Sequence, residues 1–528
     1  MQVIENAAIK VALSPTVAYQ VASSIEESQI IGDHSNRKEI LVNWEQANTE
    51  KFAQILDLLN VPESAAIPSP MLRDYQWPGV ITPFDHQRDT ASFLSIRPRS
   101  FCFNEAGTGK TPAAIWAADY LMNLGLVKRV LVVCPLSIMY SAWQADIFKT
   151  TMHRTAAVAH GSKDKRIKIV NGDYEFVIIN YDGVNVVAKE IANAQFDLII
   201  VDEANAYKTA STQRWKTFNK ILRPETRVWM MTGTPASQSP VDAFGLARII
   251  SPERVPKFIS AWRDKVMQQI TRFKWVPKID AKNRVYEALQ PAIRFAKKDC
   301  LDLPSLMYQD RVVALTPQVQ KYYKALKTQL MIDAAGEQIS AVNAAASMNK
   351  LLQISGGAVY TDSHDVVEFD ISPRLQALKE VLDESLNKVI VFVPYLHTIE
   401  VVCKYLDKEG YTNAIIRGGV SAKGRAEIIN HFQSQQDPKV LVIQPQSASH
   451  GVTLTAADTI VFWSPVMSVE TYIQCIGRID RVGQQNKMLV VHLQGSDVER
   501  KVYQMLQGKI DSHLKLVDLY KMELEDNE

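Results

Sequence analysis

Cysteine is scarce in this chain, with five in 528 residues, at positions 102, 134, 300, 403 and 475. None falls in a paired metal spacing, so neither a disulfide framework nor a zinc site is indicated. Cys102 and Cys134 sit inside apolar runs, where a thiol behaves as a small hydrophobe. Long apolar runs are missing as well: none approaches the ~18 residues a membrane-spanning helix needs. The first residues, Met1-Gln2-Val3-Ile4-Glu5-Asn6, lack the basic flank and apolar core of a signal peptide. An intracellular protein is expected. Net charge is nearly absent at +2, so the overall balance does not announce a nucleic-acid partner. Local runs say more: Lys163 to Lys168, the stretch from Arg272 through Lys274, Lys278 and Lys282 to Arg284, and Arg294 to Lys298 are basic clusters that either line a phosphate-binding surface or form solvated faces. The length itself exceeds a single hydrophobic core, and at ~150 residues per domain it implies about three or four units.

The chain is organised around Asn104-Glu105-Ala106-Gly107-Thr108-Gly109-Lys110-Thr111, which comes after the apolar run Phe101-Cys102-Phe103 and precedes Pro112-Ala113-Ala114-Ile115-Trp116. The order is strand, glycine loop, helix. Gly107 and Gly109 remove side chains that would hold backbone N–H groups away from a phosphate, and the helix dipole directs positive charge to the same place. Lys110 can reach the β- and γ-phosphates and Thr111 a Mg²⁺, while Glu105 and Thr108 belong to the same loop. Asn104 stands where the full P-loop formula has glycine. Pro112 suits a first helical turn and Gly125 a C-terminal cap.

Residues 1–70 read as a small α+β accessory domain, closed by a linker-like Val61 to Pro70. From 71 to 240, apolar runs at Phe101–Phe103, Val130–Cys134, Phe176–Ile179, Leu198–Val201 and Val228–Met231 alternate with helical stretches, the pattern of a parallel sheet covered on both faces. Ligands bind such sheets at the carboxyl ends of the strands. There the chain places Asp202-Glu203-Ala204-Asn205: the aspartate can hold the Mg²⁺ that bridges nucleotide phosphates, and the glutamate can orient or deprotonate an attacking water. Thr232-Gly233-Thr234-Pro235 ends the next strand. Residues 241–370 are mostly helical in pattern. A second alternating unit fills 371–528, with strands at Val389–Val393, Ala414–Ile416, Val440–Ile443, Thr459–Phe462 and Met488–His492 and helices near 397–408, 421–433 and 467–478. It has no glycine-rich Lys-Thr loop. Its Arg478 and Arg481, three apart on a predicted helix and so on one face, can reach across a cleft to a γ-phosphate.

These motifs together resemble helicase superfamily two, and more closely its Swi/Snf (sucrose-nonfermenting, type two) translocases. Phe84-Asp85-His86-Gln87 resembles the adenine-contacting glutamine motif. Val130 to Ser137 with Trp143 resembles the first DNA-contacting motif, and Ile178-Ile179-Asn180-Tyr181 the second. Asp202 to Asn205 resembles the Asp-Glu-x-His box with asparagine for histidine, a change that leaves hydrogen bonding to the Thr232 region available. Phe295 to Pro304, with Val313 to Tyr323 after it, resembles a passage characteristic of this family. Gln474 to Gln484 resembles the arginine-finger motif, with Asp480 replacing a histidine, and His450 to Asp458 the motif coupling DNA to ATP, with Thr453 for asparagine.

The resemblance covers about 80–528 and implies an α/β fold of two RecA-like parallel-sheet lobes with helical insertions between them. It implies an ATP- and Mg²⁺-using enzyme moving on duplex or branched DNA. The expected catalytic set is Lys110, Asp202, Glu203, Arg478 and Arg481. Nucleotide contacts are expected from Gln87, Glu105, Gly107, Thr108, Gly109, Lys110, Thr111, Gly451 and both arginines, with Mg²⁺ on Thr111 and Asp202. DNA contacts are expected from Pro135, Leu136, Ser137, Asn180, Tyr181 and Thr455. The size suggests a monomeric bacterial or phage motor of the cytoplasm, acting in replication, recombination or repair. A strand-separating helicase, a remover of DNA-bound proteins and a binding module with a degenerate ATP site are the alternatives.

Overall fold

The computed structural model describes residues 1–34, 36–236, 239–271, 275–336, 341–360, 366–448 and 452–508. The chain divides into two compact units, Met1–Leu301 and a second beginning at Asp302. The division falls inside the stretch 241–370. Among the described residues, no helix is long and apolar enough to cross a membrane.

The first unit is built on a parallel sheet of seven strands among the described residues, in the order Ala292–Ile293, Arg99–Cys102, Arg227–Met231, Leu198–Asp202, Val130–Cys134, Phe176–Asn180 and Ala156–Val158. The central strands are buried on both faces, which is why they read as continuous apolar runs rather than alternating ones. The helix Lys110–Asn123 covers one face with its residues Ala113 to Met122 buried, and Gly125, at φ +72°, takes the left-handed turn that ends it.

The described residues up to 70 form a four-stranded antiparallel sheet backed by the helices Pro15–Ser24 and Gln46–Leu58. They are fastened to the rest of the unit by buried and half-buried polar contacts. The buried Arg97 donates to Asp57 Oδ2 (3.0 Å) and to the Ser64 carbonyl (2.7 Å), Gln46 Nε2 donates to the Ser95 carbonyl (2.8 Å), and Arg227 pairs with Glu50 at 2.9 Å. The stretch expected as a linker, Val61 to Pro70, is packed instead: it carries a short helix, Pro62–Ala66, and buries Ser64, Ile67 and Ser69. Pro62 opens that short helix, and Pro68 and Pro70 follow its end.

The second unit carries a six-stranded parallel sheet among the described residues, in the order Leu306–Val312, Met488–Gln494, Ala457–Phe462, Lys388–Phe392, Val440–Ile443 and Asn413–Ile416. The strands Ala292–Ile293 and Leu306–Val312 and the hairpins Met267–Gln269 with Trp275–Pro277 and Ala358–Tyr360 with Val366–Glu368 all fall in the stretch expected to be mostly helical. Each is short or solvent-facing, so none carries the apolar run by which a central strand is read. The core of this unit contains a charge pair: Arg374 donates to Glu499 Oε2 at 2.7 Å, with both side chains almost wholly buried. The same oxygen also accepts from Ser355 Oγ (2.6 Å) and from the N–H groups of Gly495 (2.7 Å) and Ser496 (3.0 Å).

Removing one partner of such a pair leaves the other charge buried and uncompensated. Glu499→Ala is therefore expected to destabilise the second unit by about 3–5 kcal/mol, read as a drop in the denaturant midpoint. A midpoint unchanged from wild type would show that the pair contributes nothing.

Candidate active site

The glycine loop leaves the strand Arg99–Cys102 and enters the helix at Lys110. Gly107 and Gly109 have φ of +88° and +81°, and a Cβ on Gly109 would lie 2.1 Å from Gln87 Nε2. Only glycine fits there. The loop is held from both sides. The Thr108 carbonyl accepts hydrogen bonds from His86 Nε2 (2.8 Å) and Gln87 Nε2 (3.1 Å), so Gln87 braces the loop, while its Oε1 accepts from the Phe84 N–H (3.1 Å). On the opposite side, the Glu105 N–H donates to the Phe295 carbonyl (3.1 Å), and Glu105 Oε2 accepts from the Lys297 N–H (3.0 Å). Asn104 joins the two braces: its Nδ2 donates to Thr90 Oγ1 (2.8 Å) and its Oδ1 accepts from the Phe295 N–H (3.0 Å). That is the reason a buried asparagine serves where the P-loop formula has glycine. Lys110 Nζ donates to the carbonyls of Asn104 (2.8 Å) and Glu105 (3.3 Å), which keeps the ammonium within the loop, and Thr111 is half-buried beside it.

Asp202 ends the strand Leu198–Asp202 and is buried. Its Oδ2 accepts from the indole Nε1 of Trp143 (2.9 Å) and its Oδ1 from the Glu203 N–H (3.0 Å). Burial pushes its carboxyl above the ordinary aspartate range, against the opposing pull of the Lys110 charge and these two hydrogen bonds. Glu203 adopts a left-handed backbone, φ +49° and ψ 55°, which costs an L-residue roughly 1–2 kcal/mol. Tyr181 stabilises this turn by donating its hydroxyl to the carbonyls of Asp202 (2.6 Å) and Glu203 (3.2 Å). Asn205 Nδ2 donates to Thr234, to its carbonyl at 2.9 Å and its Oγ1 at 3.2 Å, and so ties the carboxylate turn to the Thr232–Pro235 turn. That turn lies close to the loop: a Cβ on Gly233 would be 3.4 Å from the Ala106 nitrogen.

The donor set fits a nucleotide with a divalent cation. Loop N–H groups and an ammonium suit phosphate oxygens, and a buried carboxylate with a threonine hydroxyl suits a hard cation.

Of the residues expected at DNA, Pro135 is buried, Leu136 exposed and Ser137 half-buried at the end of the strand Val130–Cys134, and Asn180 Oδ1 accepts from Arg166 (2.8 Å). Tyr181 instead lies under the Asp202–Glu203 turn. Trp143, grouped by resemblance with the first DNA-contacting motif, has its indole on Asp202. Neither position could be found from the sequence, because both are pairings across the sheet.

In the second unit, the helix Val469–Ile476 stops at Gly477, so Arg478 and Arg481 lie in the turn beyond it and not on a helix as expected. They converge nonetheless: each donates to the Val452 carbonyl at 3.1 Å, and Arg478 Nε donates to the Gln474 carbonyl at 2.7 Å. Thr455 Oγ1 lies 3.5 Å from Gln433 Nε2. His450, Gly451, Arg272 and Lys274 lie outside the described residues.

The family described as SNF2-related domain matches residues 86–364, and that described as helicase conserved C-terminal domain matches residues 373–483. A protein named p41 from Acyrthosiphon pisum secondary endosymbiont phage 1 is 26% identical over 442 residues, which cover 79% of this chain and 93% of the phage protein. The Xenopus tropicalis SWI/SNF-related matrix-associated actin-dependent regulator of chromatin subfamily A-like protein 1 is 24% identical over 81% of this chain, and the match spans 44% of that longer protein. Among solved structures, the Sulfolobus solfataricus SWI2/SNF2 ATPase core in complex with dsDNA aligns over 85% of this chain and 96% of its own, at 21% identity and a TM-score of 0.41.

The raised carboxyl of Asp202 has a pH consequence. Only the ionised form can bind a cation, and a raised value moves protonation to higher pH. Cation-dependent ADP binding is therefore expected to weaken on acidification before the ordinary aspartate value of 3.8 is approached. Calorimetric titration from pH 8 downward, wild type against Asp202→Asn, checks this: the wild type should lose cation-dependent affinity beyond what protonation of the ADP phosphate causes in the variant, and identical profiles in both would contradict it.

Proposed function

Because the chain belongs to the SNF2-related family, and is thereby a helicase-type ATPase motor, we propose that it is a DNA translocase that hydrolyses ATP to move on duplex or branched DNA. The observation that carries this reading is the juxtaposition in the first unit of the braced glycine loop with the buried Asp202 and the left-handed Glu203. Lys110 and the loop N–H groups bind the phosphates. Glu203, presented by its strained turn, orients the attacking water. Asp202 and Thr111 hold the Mg²⁺, which when bound neutralises charge developing on the phosphates. Arg478 and Arg481 stabilise that charge in the transition state, a role worth about 10³–10⁵ in rate for arginine fingers.

DNA is bound through its phosphates by Lys and Arg and by the segments at Leu136–Ser137, Asn180 and Thr455, so sequence preference is slight. The passages Leu303-Pro304 and Thr316-Pro317-Gln318 resemble those of duplex-tracking motors, which favours duplex over single strands. The work we assign is remodelling of forks or junctions in replication, recombination or repair. Similarity to the phage protein supports a setting in the cytoplasm of a bacterium or phage-infected cell.

ATP turnover measured without DNA and with single-stranded, duplex and four-way-junction DNA tests the proposal. Duplex and junction are expected to stimulate most, with DNA affinity falling steeply with salt. Full stimulation by oligo-dT with indifference to duplex favours a strand-separating helicase, and absence of turnover favours a binding module. Lys110→Ala is expected to abolish turnover in a folded protein. Arg478→Ala or Arg481→Ala should lower turnover at saturating ATP while leaving ATP affinity mostly intact. A loss of affinity alone would remove that arginine from the finger role.

A further inference from the structure

Asp202 is held by two N–H groups of different origin. The Glu203 N–H comes with the strand end, but the Trp143 indole reaches Oδ2 from a separate element. Trp143 is fully buried and sits on the π-helical turn Met139–Gln144, directly after the segment Leu136–Ile138. A π turn carries one extra residue, which rotates the remainder of the helix by about 100° around its axis. Such turns are rare and are frequently found at functional sites. The donor type is also informative. An indole N–H donates and has no lone pair with which to compete for a cation, and it carries no charge to neutralise the carboxylate. Serine, histidine or lysine in its place would do one or the other.

We propose that Trp143 is a positioning residue for the cation-binding carboxylate: its N–H fixes the rotamer of Asp202 so that the ionised group is held ready for the metal of the bound nucleotide. The inference rests on the reading of Asp202 as a cation-binding residue. It also departs from the DNA-contacting role that the motif around Trp143 suggests, since the ring is inside the core with its only polar atom on Asp202.

ADP binding to the intact chain, measured by calorimetry with Mg²⁺ and with EDTA, separates the two roles without turnover. In Trp143→Phe the gain in affinity that Mg²⁺ confers is expected to shrink by about 10-fold or more, with metal-free ADP affinity changed less than about twofold, as for other groups that orient metal ligands. Replacing Trp143 by its benzothienyl analogue, which has sulfur in place of N–H and the same shape, should give the same loss with the core filled. Trp229→Phe, which removes an indole bonded to the Arg97 carbonyl in the same core, should leave the Mg²⁺ gain intact. An undiminished Mg²⁺ gain in the benzothienyl variant overturns the proposal, as does an equal loss in Trp229→Phe. A wild-type protein that binds ADP no more tightly with Mg²⁺ than without it overturns the premise about Asp202, a result distinct from either.

Discussion

A carboxylate taken out of water at the end of a buried strand is the constraint on which the first unit depends. Burying Asp202 disfavours its charge, and an isolated ionised carboxylate in such surroundings would protonate instead. The surrounding structure compensates with a set of groups drawn from distant parts of the chain: the Trp143 indole, the Glu203 N–H and the field of Lys110. Each of these requires another element to be in place. Trp143 needs its π turn, Glu203 needs a left-handed backbone held by the Tyr181 hydroxyl, and Lys110 needs the loop carbonyls of Asn104 and Glu105. The site is therefore a property of the whole sheet.

The glycine loop obeys the same logic. Its phosphate-binding geometry comes from two positive-φ glycines, but its position comes from braces on either side. The helix Asp85–Ser95 supplies His86, Gln87 and Thr90, and the segment after the short strand Ala292–Ile293 supplies Phe295 and Lys297. Asn104 is hydrogen-bonded to both. The helix is also the anchor of the N-terminal sheet, since Ser95 and Arg97 at its far end bond to residues 46, 57 and 64. Residues 1–70 are thus mechanically continuous with the element that holds the loop.

Much of this was legible in the sequence. Central strands of a parallel sheet are buried on both faces, so they announce themselves as apolar runs, and the ten runs expected across the two units are all strands, within about two residues at each end. The loop was legible because phosphate binding demands glycine at fixed offsets. Edge strands were not: Leu306–Val312 pairs on one side, is largely exposed and interrupts its apolar residues with Gln309, Asp310 and Arg311, and Ala292–Ile293 is two residues long. Helix ends were only partly legible. Gly477 stops its helix before Arg478, so the two arginines converge through a shared carbonyl rather than through helical spacing. Roles set by tertiary pairing were invisible, as with Trp143, whose partner ends a strand remote in sequence, and Asn104, which reads as a defect in a motif until Thr90 and Phe295 are seen beside it.

The role of the buried carboxylate is tested most simply by the binding of Mn²⁺ to the intact chain in the presence of ADP, monitored by electron paramagnetic resonance, in wild type and Asp202→Ala. A tightly held Mn²⁺ is expected in the wild type and is lost in the variant while ADP still binds. Equally tight Mn²⁺ in both would place the cation on other residues and contradict the role of the buried carboxylate.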